Sequence, residues 1–131
     1  MDEGPIEVEV DREGQPRTVR TGLSANDVVG IIRALEGEPD VTVTISREGA
    51  DERLLVAISG SLAFLGLIGP DEVFQFVGSD KGRGGTQRLM IGGQSTDIKS
   101  QYVLCVERAA SVAYEWLNVG RQSSLGAWER R

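Results

Sequence analysis

Four stretches between residues 41 and 77 carry the strongest constraint on the fold. Val41, Val43 and Ile45 alternate with Thr42, Thr44 and Ser46, the period of a strand with one face toward a core. Residues 54–59 and 73–77 read as further strands, and 62–68 is apolar on both faces, as a central strand requires. The turns between them, around Gly49 and Asp51 and around Gly69, Pro70 and Asp71, are too short for a crossover helix. Consecutive strands must therefore run antiparallel, as a meander.

The flanks add a helix on each side. Ile6, Val8 and Val10 alternate with Glu7, Glu9 and Asp11. A turn at 13–16 then leads to a short polar strand at 17–21. So charged a pair belongs at a sheet edge, where charge discourages further pairing. Ser24 is a helix N-cap with Asp27 as a shortened capping box, and Val28, Ile31, Ile32 and Leu35 form one apolar stripe. Gly37 and Pro39 end that helix. After the meander, a glycine-rich stretch at 78–86 leads to a strand at 87–91. A second helix is predicted over 102–119, burying Val106, Ala109, Ala110, Ala113, Trp116 and Leu117, with Gly120 as its C-cap. Residues 121–131 show no periodicity. The expectation is an α+β fold: a mostly antiparallel sheet of about six to seven strands with two helices packed on one face. It forms a single domain over residues 1–131.

Composition narrows the chemistry. Apolar residues make up 40% and charged residues 26% of the 131, a globular balance. No apolar run reaches the roughly 20 residues that span a bilayer. The first five residues are acidic where a secretory leader is basic and then apolar. Cys105 is the one cysteine, so no internal disulfide forms, and a cytoplasmic location without membrane attachment is expected. Histidine is absent, which removes the usual general base, the Ser–His and Cys–His nucleophile pairs and the commonest metal ligand. One thiol cannot build a structural zinc site. No catalytic residue, metal or cofactor is expected. The net charge of −6 disfavours nucleic acid as a direct partner and suits a basic protein.

The motifs that resemble sites are weak. Stretch 78–86, with Lys81 and Arg83, looks phosphate-like. It joins two strands, however, and matches neither GxGxxG nor GxxxxGKS/T, so it reads as a soluble hairpin loop. Stretch 92–97 is a polar connection or a binding rim. Ser59, Gly60 and Ser61 do not make GxSxG. Asp71 and Glu72 are adjacent on a turn and point apart, unlike a hydrolase pair placed across a cleft. Cys105 and Trp116 read as core. Trp128, beside Glu129, Arg130 and Arg131, either docks back on the sheet or offers an aromatic anchor to a partner.

Several of these segments together resemble one known group. They are residues 88–93, Tyr102 and Val103, the helix end at 113–119 followed by Gly120, and the closing Trp128 and Glu129. The chain resembles the Imm-one family of immunity proteins from bacterial polymorphic toxin systems, best over 88–129. The resemblance implies a small α+β cytoplasmic antidote. Such a protein binds a cognate toxin domain, often a nucleic-acid-modifying deaminase or nuclease, and occludes its active site without doing chemistry. Trp128 and Glu129 match the family's tail. Carboxylates on turns and edges (Asp51, Glu52, Asp71, Glu72 and Asp80) supply a face for a basic toxin. The alternative is a non-catalytic scaffold module forming a homo-oligomer, and a third reading is a histidine-free enzyme using Glu115 or Asp97.

Overall fold

A computed structural model describes residues 4–78, 84–120 and 125–130. Strand β1 (Ile6–Arg12) buries Ile6, Val8 and Val10, and β2 (Thr18–Leu23) is exposed along most of its length. Helix α1 (Ala25–Ala34) opens with the expected reciprocal cap. The Ser24 hydroxyl accepts from the Asp27 N–H at 3.1 Å, and the Asp27 carboxylate accepts from the Ser24 N–H at 2.9 Å. The four central strands follow as β3 (Val41–Arg47), β4 (Arg53–Ser59), β5 (Leu62–Ile68) and β6 (Val73–Val77). Then come β7 (Thr86–Ile91), β8 (Gln94–Lys99), a 3-10 turn at Ser100–Tyr102 and β9 (Val103–Cys105). Helix α2 (Val106–Val119) and β10 (Ala127–Arg130) complete the described chain.

The main sheet runs β10-β6-β5-β4-β3-β1-β2, antiparallel throughout, with β9 also paired to β5. The meander is present from β3 to β6, and the polar β2 is an edge strand. Strand β5 is doubly apolar because it is central: β4 lines one side of it, and β9 and β6 share the other. Both helices lie on one face. Val28, Ile32, Val106, Ala110 and Ala113 join Val8, Val43, Val56, Leu65 and Phe76 in one buried cluster, so a single core lies between helices and sheet.

The seven expected strands are all present, and three more were hidden in stretches read as loop or helix. Strand β8 occupies most of the polar stretch at 92–97 and pairs with β7 through a two-residue turn at Gly92 and Gly93. Both glycines have positive φ (60° and 83°), which the tight primed hairpin turn demands. Strand β7 does not continue the meander, because β10 occupies the outer edge of β6. Helix α2 starts at Val106 rather than 102, because residues 103–105 pair with β5 instead. That strand geometry turns Leu104 inward and leaves Cys105 exposed, against its expected place in the core.

Candidate partner-binding surface

The meander decides where its turns go. The β3–β4 and β5–β6 connections are separated by two strands, so both return to the same end of the sheet. Asp51 and Glu52 therefore meet Asp71 and Glu72 across a cleft of about 750 Å³. The far wall is the last turn of α2, with Leu117, Asn118 and Gly120. A helix C-terminus presents unsatisfied carbonyls and the negative end of its dipole, which adds to the carboxylate field. One guanidinium of the chain already exploits this: Arg47 donates to the Leu117 carbonyl at 3.1 Å. Sequence reasoning picked the four carboxylates but missed Arg47 and the α2 terminus. The signal was available, since alternate turns of a meander always share an end.

The four acids are not equivalent. Asp51 and Asp71 are exposed and, among the described residues, have no ion-pair partner. Glu72 accepts from the Arg130 guanidinium at 2.5 Å and so clasps β10. Asp80 lies outside the described residues, as do Lys81 and Arg83.

Trp128 and Glu129 hold the chain's own last strand. Trp128 lies opposite Phe76 on β6, the two rings meeting edge to face with centroids 5.0 Å apart. Glu129 points to the other face and accepts from the Tyr102 hydroxyl at 2.5 Å. That hydrogen bond raises the Tyr102 pKa above the ordinary phenol value, because ionisation would remove the proton it donates. The tail at 125–130 is thus docked on the sheet, the first of the two roles weighed for Trp128.

The hairpin β7–β8 lies over the sheet face opposite the helices. The Met90 N–H donates to the Ser59 hydroxyl at 3.0 Å, and Ser59 shares its side of β4 with Leu55 and Ala57. Ala57, Val77 and Leu89 are buried outside the main core, forming a small second layer. The hairpin tip is fixed by Asp40, whose carboxylate accepts from the Gly92 and Gly93 N–H groups at 3.1 and 2.7 Å. The two glycine N–H groups thus form an anion-binding turn, and the chain's own carboxylate fills it. Asp97 pairs with Arg88 on this hairpin while Glu115 sits on α2, so the sheet separates the two carboxylates weighed for an enzyme.

At the opposite end of β1, Arg12 donates twice to Glu38, at 2.7 and 2.9 Å. The guanidinium holds the Glu38 carboxyl below the usual glutamate range. Arg33 on α1 makes the same kind of fork with Glu107 on α2, tying the helices together at their exposed surface. Among the described residues, no helix is long and apolar enough to cross a membrane. In comparisons with known proteins, no family model matches the chain and no curated protein matches it.

Proposed function

We propose that this protein works by contact, as an immunity-type antidote that binds a basic toxin domain and blocks its active site. The observation that carries the reading is the convergence of Asp51, Glu52, Asp71 and Glu72 on one cleft beside the α2 C-terminus. Two of those acids have no ion-pair partner among the described residues, in a chain with net charge −6. Such a field attracts a lysine- and arginine-rich surface and speeds encounter with it. A toxin that handles nucleic acid in the cytoplasm needs a basic cleft for the phosphates, and an acidic partner is complementary to it. The lack of histidine agrees with an inhibitor that performs no chemistry.

The test is to find whether a toxin domain is encoded beside it and to co-express the two. The reading expects cells to survive the toxin and the two proteins to co-purify. Cells that die at the rate of an empty control would refute it.

A second reading, a scaffold that self-associates, draws on the outer edge of β2. Among the described strands β2 pairs with β1 only, which leaves a row of its backbone groups without a strand partner. It predicts an oligomer in solution by light scattering, where the first reading predicts a monomer.

A further inference from the structure

Helices cover one face of the main sheet, and the hairpin covers the end of the other that carries Ala57, Ser59 and Val77. The remaining part of that second face changes character across the sheet. On β1 and β3 its residues are Glu7, Glu9, Thr44 and Ser46, the polar positions expected of a wetted face. On β4, β5 and β6 they are Leu55, Phe64, Ile68 and Val73, together with Gln75 and the exposed Arg53, which stands directly opposite Ile68. The first three are half-buried, and Val73 is 36% exposed.

Gly66 sits at the centre of this platform. Leu55 and Gln75 are its direct cross-strand neighbours, while Phe64 and Ile68 flank it on β5, with Val73 opposite Ile68. Nothing in the fold demands glycine there. Its φ is not positive, and a Cβ would meet the Phe74 carbonyl oxygen at 3.8 Å and Phe64 Cε2 at 3.9 Å, ordinary contacts. Glycine weakens a central strand, and it marks places where another group approaches the backbone closely. Its effect here is a flat surface that is apolar apart from Gln75 and, at its edge, Arg53.

Carboxylates bound that surface. Glu7 and Glu9, the second paired with Arg17, lie along β1, and Glu129, which accepts from Tyr102, lies beyond Gln75 on β10. Asp51, Glu52, Asp71 and Glu72 stand at the strand ends nearest Ile68 and Val73. An apolar centre with an acidic rim complements a protein surface whose apolar side chains are ringed by lysine and arginine. A second copy of this chain would bring the same acidic rim against it. We propose that the Leu55–Phe64–Ile68–Val73 platform is the apolar half of the partner-binding surface, continuous with the acidic cleft. It takes a basic segment that carries leucine-type side chains. The inference rests on the basic partner proposed above, and it adds that charge alone does not make the complex.

Two synthetic peptides of equal charge separate the claims when titrated into isotope-labelled protein: one of alternating Arg and Gly, one of alternating Arg and Leu. The Arg–Gly peptide should shift the resonances of Asp51 and Asp71. The Arg–Leu peptide should also shift Leu55, Ile68 and Val73 and bind at least tenfold tighter. Val73→Asp, checked for an unchanged amide spectrum elsewhere, should reduce that gain to the Arg–Gly level. If Arg–Gly binds and leucine adds neither affinity nor shifts on the platform, the inference is overturned and the acidic cleft stands. If neither peptide binds, both fall. Concentration-dependent shifts of the platform in the protein alone would assign it to a second copy and overturn the proposal.

Discussion

The ring of Trp128 meets Phe76 edge-on at 5.0 Å with planes 72° apart, and this contact fastens the last described strand to the core. The indole N–H is buried there with no acceptor among the described residues. A buried unsatisfied donor is unfavourable, so the residue is held for its apolar area rather than its polar handle.

Trp128→Phe should therefore be neutral or slightly stabilising, whereas Trp128→Ala should cost about 2–3 kcal/mol. Gly126→Ala should also destabilise, because a Cβ there would overlap the Val77 carbonyl oxygen and reach Phe76 Cζ at 2.7 Å. Urea unfolding of the three variants checks the order.

Asp40 anchors the β7–β8 turn through two backbone N–H groups. Asp40→Ala should loosen the hairpin at a cost of about 1 kcal/mol. The amides of Leu89 and Thr96 should then exchange faster, while those of Val56 and Leu65 in the main sheet keep their protection. Uniform acceleration across both sets would show instead that the hairpin and sheet open together.

The Arg12–Glu38 pair sets an acid dependence. The Glu38 pKa is depressed in the folded state, so its contribution is present above the unfolded carboxylate pKa of about 4.3. It is lost as pH falls through the lower folded value. Denaturation curves between neutral pH and pH 3 should show Glu38→Gln less stable than the parent at neutral pH. The gap should close as the solution is acidified. A gap that stays constant with pH would deny the ion pair its role.

Much of this fold is legible residue by residue, because local rules decide it. The Ser24–Asp27 cap, the alternation in β3 and the stripe from Val106 to Leu117 each follow from a period or a spacing. Strands β8, β9 and β10 were not legible. Gln94, Ser95, Thr96 and Asp97 have the composition of a loop, and they become a strand only because Gly92 and Gly93 turn them back onto β7. Ala127 to Arg130 is too short for a period to register, and its pairing depends on a partner some fifty residues earlier. The acidic cleft lies between these cases. Each turn was visible, but the contribution of α2 depends on how the helix packs over the sheet, which no local pattern records.

The central claim is that an acidic end, and not a catalytic residue, does the work. Glu72 is a poor probe of it, since its substitution also frees Arg130 and β10. Among the described residues Asp51 and Asp71 have no ion-pair partner, and they are exposed and clear of the core, so Asp51→Lys with Asp71→Lys tests the field without touching the fold. The deciding measurement is the affinity of this double variant for the toxin domain by calorimetry, at low and at physiological salt. The account predicts at least a tenfold loss relative to the parent (about 1.4 kcal/mol) and a weaker dependence on salt. Parent-like affinity with an unaltered salt dependence would contradict it.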